Sequence, residues 1–338
     1  MNTTPTIFNT ALPSYTAVGG REKMGTTGLQ AVLLNHGGRY PRRALFQELE
    51  KTGFDYIISM ESSRERYDVE ELSSRFPFVR FILAPEDLTP GELVNLAVME
   101  LGGPLFFVLW NNMKFIAGGN AGRMAERLVL SPEDAAARRE GEGNVCKRLC
   151  TLPVIQNPRF EALPTLASPV LFKNTVTTRL AVPQREGQYG LYPFDGAGIY
   201  DRERFIRLGG FDGAIKNFHW QLTDFGFRAR LWGEEISSTQ MVRLSYDGEV
   251  PREDNSPEEN YRRFYLKNLA PVFRNGCAHL PLRRFPRYFF RSGEDLSAAW
   301  SEFSEVRRWI GENASRFTCD ARAVVDNWDG ARPGKDPL

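Results

Sequence analysis

The sequence predicts an α/β fold, a mixed but mainly parallel sheet flanked by helices and followed by a helical C-terminal extension. Three observations predict it. Short apolar runs alternate with amphipathic segments from Leu29 onward, and Gly and Pro punctuate the junctions. The first four runs and their three crossovers occupy roughly 85 residues, the spacing of a doubly wound nucleotide-binding half.

Each element follows in order. "LQAVLLNH" (Leu29 to His36) is a buried strand ended by Gly37 and Gly38. "PRRALFQELEKTG" is a helix, with Pro41 suited to its first turn and Gly53 to its end. "FDYIISME" (Phe54 to Glu61) is the second strand, and "DVEELSSRF" is a short helix in which Asp68 and Glu71 have capping-box spacing. "FVRFILAPED" (Phe78 to Asp87) is the third strand. In the helix "TPGELVNLAVMELGG", Thr89 caps, Pro90 takes the first position, Glu92 closes the box, Leu93, Leu96, Ala97 and Leu101 form one face, and Gly102 ends it. Pro104 to Leu109, within "LFFVLWNNMKF", is the fourth and central strand.

Between Ser131 and Leu191 the pattern loosens. "SPEDAAARREGEG" starts as a capped, exposed helix, and Pro153, Pro158, Pro164, Pro169 and Pro183 break the rest into short strands and loops. Regularity returns at "YPFDGAGIYDRERFIRLGGFDGAI" and "WQLTDFGFRARLWGEEI". From Ser256, which has box spacing to Glu259, the tail is helical, and Trp300, Phe303, Val306 and Ile310 form a face that can dock onto the body. The chain thus divides into a polar leader (1–27), an α/β domain (28–250) whose halves meet near 130, and the extension (251–338).

Composition narrows the function classes. Among 338 residues, 43 Lys plus Arg balance 42 Asp plus Glu, so no global field argues for nucleic acid. No apolar run approaches the roughly 18 residues of a membrane span, and the N-terminus lacks a secretory pattern. The chain reads as cytoplasmic. Four cysteines are too few for a disulfide framework. Cys146, Cys150, Cys277 and His279 can be imagined as a zinc set, but the pairs are distant in sequence. "LPLRRFPRYFFRSG" (Leu280 to Gly293) mixes arginines with aromatics, which suits a membrane-surface patch or the rim of a packed subdomain.

Taken in order, these segments resemble the family 2 glycosyltransferases of the GT-A fold over about residues 28 to 235. The counterparts are Asn35 after the first strand, the "SMESS" turn (Ser59 to Ser63), Asn95 in "GELVNLA", and "LWNNM" where the family has Asp-x-Asp. "GAGIYDRERFIRLGGFD" (Gly196 to Asp212) matches the family's Gly-Ala-Gly block, and "WQLTDFGFRARLWG" (Trp220 to Gly233) keeps the frame of its Trp-Glu-Asp-x-Asp helix. The resemblance implies a nucleotide half at 28–130 and an acceptor half at 131–250. It also implies a UDP- or GDP-sugar donor, a glycan or lipid-linked acceptor, and a location in the cytoplasm or at the inner face of the membrane.

The chemistry such a transfer needs is only partly present. The family holds Mg2+ or Mn2+ with carboxylates at the central strand, because hard cations prefer anionic oxygen. Here Asn111 and Asn112 stand in that place. They are weak metal ligands, direct hydrogen-bond partners of the donor with Lys114 as the neutralising cation, or simple turn residues. The donor side would then comprise Asn35, Glu61 (or Ser59 or Met60 in the same register), Asn95, Asn111, Asn112 and Lys114. A general base is also required. Gln221 and Leu222 fill the family's Glu and Asp positions, leaving Asp224 as the first choice and Asp195 as the second; the alternative for Asp224 is an i,i+4 pair with Arg228. Gly196, Gly198, Trp220 and Gln221 fall on the acceptor side, and His219 is a metal ligand or a phosphate donor, or a partly buried polar residue. Two further classes fit the same residues: a pseudoenzyme that keeps the sugar-nucleotide cleft, and a nucleotidyltransferase, for whose basic Gly-rich loop "NHGGRYPRR" is a faint counterpart.

Overall fold

The structure is a computed structural model that describes residues 13–21, 23, 25, 27–35, 41–62, 68–85, 87–116, 119–128, 148–172, 175–256 and 259–328. The helix expected at "SPEDAAARREGEG", Cys146, the Gly37–Gly38 turn and the end of the "SMESS" turn lie outside the described residues.

The first half contains β1 (Thr16–Gly19), β2 (Leu29–Leu34), α1 (Arg42–Thr52), β3 (Ile57–Ser62), α2 (Val69–Arg75), β4 (Val79–Ala84), α3 (Pro90–Glu100), β5 (Leu105–Trp110), β6 (Met113–Phe115) and α4 (Ala121–Leu128). The second half adds β7 (Arg148–Gln156), the hairpin of β8 (Leu166–Phe172) and β9 (Thr175–Ala181), β10 (Gly198–Asp201), α5 (Arg202–Leu208), α6 (Phe218–Leu231) and β11 (Glu235–Tyr246). Nine strands form one sheet in the order β1-β4-β3-β2-β5-β10-β7-β11-β6. The run β4-β3-β2-β5 is parallel, as is β7 with β11, while β1, β10 and β6 pair antiparallel.

The sequence dictates this arrangement through burial. All six residues of β2 and of β5 are buried, so neither strand alternates, as expected where helices cover both faces. α3 forms the expected capping box between Thr89 and Glu92, with Pro90 in its first turn. α1 ends on Gly53 in the left-handed region. Parallel pairing then brings the C-terminal ends of β2, β3 and β5 to one edge, where a doubly wound sheet places its ligand.

Four local expectations change. Asp68 makes no cap bond; it adopts φ 55° and accepts from Arg42 at 2.8 Å instead. α3 is capped by Leu101, one residue before Gly102. Residues 16–19 of the leader form an edge strand on β4. In the extension, Phe303, Val306 and Ile310 dock as expected, but Trp300 is 48% exposed and Trp309 is buried in its stead.

The extension comprises α7 (Glu259–Phe264) running into a π-helical turn (Tyr265–Leu269), β12 (Val272–Arg274), β13 (Cys277–His279), α8 (Phe285–Ser292), α9 (Leu296–Glu312) and α10 (Ala321–Asp326). Aromatic packing holds it to the body: Trp220 lies against Tyr261 and Phe264, and Trp232 stacks on Trp309 at 5.9 Å.

Candidate active site

The site begins at the turn between β5 and β6. Asn111 donates its backbone N–H to the Leu34 carbonyl and its side-chain amide to Asn35 Oδ1 at 2.6 Å, so the ends of β2 and β5 are tied together. The Asn35 amide faces Glu61 at 3.4 Å. Glu61 is buried, and accepts from Ser59 at 2.6 Å and from Arg42 at 2.8 Å. The acid expected to meet the donor is therefore engaged by a buried guanidinium. Asn112 Oδ1 is buried with no hydrogen-bond partner, while its backbone carbonyl accepts from Asp247. Lys114 is exposed and pairs with Asp247 at 2.5 Å, so its charge is already matched.

Trp110, the last residue of β5, carries the site across to the second half. Its indole N–H donates to the Asp195 carbonyl at 2.8 Å, and its ring meets Phe218 edge-on. Asp195 stands in the short 3-10 turn before β10 with φ 52°, a left-handed conformation uncommon for a residue with a side chain and often associated with function. Its carboxylate accepts from the Tyr246 hydroxyl at 2.8 Å. Burial pushes the Asp195 carboxyl up to about 7, Glu253 adds to the rise, and the Tyr246 hydrogen bond opposes it. Asp195 lines a cleft of about 180 Å³ with Phe218, His219, Leu222 and Glu253. His219 Nδ1 lies 3.3 Å from Glu253 Oε2, within ion-pair range but without a hydrogen bond, and Tyr192 donates to the same carboxylate at 3.0 Å.

Asp224 is elsewhere. It is completely buried in α6, where Arg228 donates to Oδ2 at 2.8 Å, Lys267 lies 2.9 Å from Oδ1, and Asn268 donates to Oδ1 at 2.7 Å. The i,i+4 pair with Arg228 exists, but inside the protein rather than on an exposed face. A carboxylate with no surface and three polar partners cannot reach an acceptor hydroxyl, so Asp224 is a structural anion. Asp212 shares Lys267 at 2.8 Å and also accepts from Arg263. Burial pushes the Asp212 carboxyl up, but Lys267 and Arg263 outweigh it and hold it at about 2.

The remaining expected residues are structural by their contacts. Asn95 is buried, and both ends of its amide bond the backbone of Phe211, clamping α3 to the "GGFD" segment. Gly210 explains why glycine is needed there: its φ is +67°, and a Cβ would lie 2.3 Å from Asn95 Oδ1. Gln221 donates to Thr89 and to the Asp212 carbonyl, while its Oε1 is buried without a partner. Trp220 donates to the Ser256 carbonyl and packs under the extension. Gly198 sits within β10, where a Cβ would lie 2.8 Å from Cys150 Sγ. Gly196 precedes it in the turn and accepts from the Tyr200 hydroxyl. Tyr246, Glu253, Tyr192 and Arg42 were not singled out by sequence, since they belong to no motif; the acids of "PRED" are the one local signal for Glu253.

The donor set at the turn does not fit a divalent cation held by the protein. It offers one unpaired amide oxygen, its nearest carboxylates, Glu61 and Asp247, are engaged by Arg42 and Lys114, and among the described residues no group of three or more His, Cys, Asp and Glu is close enough to hold a metal.

No family model and no curated protein matches the sequence. Among solved structures, that of GalNAc-T7 with UDP, GalNAc and Mn2+ aligns with a TM-score of 0.54 at 12% identity, covering 88% of this chain and 56% of that one. The chain therefore spans little more than half the length of that protein. TarS of S. aureus with UDP-GlcNAc aligns at TM-score 0.45 and 11% identity over 85% of this chain and 73% of that one. The mannosyltransferase PcManGT of Pyrobaculum calidifontis with GDP-Man and Mn2+ aligns at 0.41 and 10% over 91% and 79%. The fold is GT-A-like: a mixed α/β sheet with a parallel centre and flanking helices.

Proposed function

We propose that the chain is a nucleotide-sugar glycosyltransferase in which Asp195 is the general base, with an acceptor hydroxyl in the cleft beside it. The observation that carries this reading is the Asp195 carboxyl, which lines a cleft, is pushed up to about 7 by burial, and belongs to a turn that Trp110 joins to the β5 tip. A base poised near neutrality is what proton abstraction from a hydroxyl favours. The GT-A-like fold supports a nucleoside-diphosphate sugar as donor, of the UDP- or GDP-sugar type, since GalNAc-T7 holds UDP in the same architecture.

In the reaction, Asp195 takes the proton of the acceptor hydroxyl as that oxygen bonds to the anomeric carbon. The bond from this carbon to the diphosphate breaks, the nucleoside diphosphate departs with the electron pair, and direct displacement inverts the centre. Tyr246 positions the carboxylate, and Trp110 holds its backbone against the donor end. No step is assigned to Mg2+ or Mn2+, because the carboxylates nearest the turn, Glu61 and Asp247, are engaged by Arg42 and Lys114. A metal entering with the donor would be carried mainly by the diphosphate.

Leu222 favours a second reading. It lines the same cleft where the resemblance implies an acid, which suits a pseudoenzyme that binds nucleotide sugars without turnover. Thermal shift against UDP- and GDP-sugars with and without Mn2+, followed by hydrolysis assays, separates the two. We expect stabilisation by at least one donor and turnover lost in Asp195→Asn with binding retained. Binding without turnover in the wild type selects the second reading, and no binding overturns both.

A further inference from the structure

We propose that α8 and its flanks form a docking surface for an anionic lipid bilayer. Of the large apolar side chains standing exposed among the described residues, half fall between Leu282 and Trp300: Leu282, Phe290, Leu296 and Trp300. Phe290 is 82% exposed, which has no role in a closed core. Rings continue from it through Phe289 and Phe285 to Trp300, so these aromatic side chains make one contiguous surface.

Charge identifies the occupant. Leu280–Gly293 contains Arg283, Arg284, Arg287 and Arg291 and no acid, in a chain whose net charge is only +1. Glu294, the next acid along the chain, is taken by Arg262 at 2.9 Å, and among the described residues none of the four arginines has a carboxylate partner. Arg287 and Arg291 are one turn apart on α8, on a flank between Phe290 and the buried Tyr288 and Ser292, and Phe290 faces away from that buried pair. A helix with one face packed on the protein, an exposed aromatic and a stripe of unpaired arginines has the chemistry of an interfacial anchor. Beside it, Arg283 and Arg284 also line a cavity of about 360 Å³ with Arg274, Arg322 and one acid, Asp320, whose carboxylate accepts from the Ala323 N–H, so a lipid phosphate there would meet four guanidiniums against one carboxylate. A second copy of this chain would bring the same positive charge to the patch and is disfavoured. The inference is independent of the glycosyltransferase reading.

The test is co-sedimentation of the full chain with vesicles of phosphatidylcholine alone and of phosphatidylcholine mixed with phosphatidylglycerol. We expect binding to the mixed vesicles only, weakened by salt. The triple variant Arg283→Gln, Arg287→Gln, Arg291→Gln should lower the partition coefficient on the order of a hundredfold. Phe290→Ser should lower it about tenfold while leaving the thermal melt unchanged, because that side chain is exposed. Lack of binding to either vesicle overturns the proposal, as does binding that both variants leave intact. Self-association by light scattering that Phe290→Ser removes, without vesicle binding, assigns the patch to a second copy and also overturns it.

Discussion

At the residue scale, Asp195 and Tyr246 make one titrating unit, and their coupling has a sign that can be measured. Burial raises the carboxyl from 3.8 to about 7, so a base at this position acquires activity as pH rises through neutrality. Asp195→Asn keeps the shape and suits the left-handed turn, since Asn tolerates that conformation. We expect kcat to fall by about 10²- to 10⁴-fold with the pH dependence near 7 abolished, measured as kcat/KM against pH. Tyr246→Phe removes a hydrogen bond that favours the ionised carboxylate. Its rising limb should move to higher pH while activity at alkaline pH is retained; an unmoved limb would show that another group titrates.

At the element scale, α6 joins the site to the body, its first turn lining the cleft and its second half buried in charge. Asp224→Asn should therefore cost stability rather than chemistry. It leaves Lys267 and Arg228 short of a buried anion, on the order of 3–5 kcal/mol, read as a lower Tm with kcat preserved in the molecules that stay folded. The reason Asp224 was legible as a base and is not one lies in periodicity. Sequence frame places it on the family's acidic helix, yet position along a helix does not say which face is covered. Lys267 and Asn268 cover it from a segment more than forty residues later, brought there by the π-helical turn. Local rules did suffice for α3, whose box, proline and apolar face are all contained in one stretch of chain. Asn95 shows the converse: its partner Phe211 is 116 residues away, so no local signal distinguishes a donor ligand from a clamp.

At the scale of the whole molecule, the parallel, doubly covered character of the central strands was legible, because buried runs without alternation imply two covered faces, whereas the strand order, the edge strand β1 and the antiparallel insertion of β10 between β5 and β7 depend on long-range pairing. The same long-range contacts make the extension part of the fold. Cutting the chain after Ser256 would expose Trp220 and Phe227 and strip Asp212 and Asp224 of Arg263 and Lys267. The shortened protein should be insoluble on expression, whereas a soluble product with a cooperative melt would show that residues 13–256 fold without the extension.

Two buried carboxyl groups shifted in opposite directions, Asp212 and Asp195, bound the stability of the molecule from opposite sides of the pH scale. Asp212 is depressed to about 2 by Lys267 and Arg263, so its contribution is present above 3.8 and is lost as pH falls from there towards about 2. That loss is on the order of 2 kcal/mol and falls where the extension is joined to the body. Asp195 is raised, so its contribution is present below 3.8 and is lost as pH rises through about 7, on the order of 4 kcal/mol by the same linkage. Denaturant unfolding from pH 2 to 9 should therefore show stability declining on both sides. Asp195→Asn should flatten only the neutral side, becoming more stable than the wild type at pH 8 and keeping the acid decline. If Asp195→Asn instead loses stability at pH 8, the buried carboxylate is held ionised by a partner that favours its charge, and its role as a neutral-pH base fails with it.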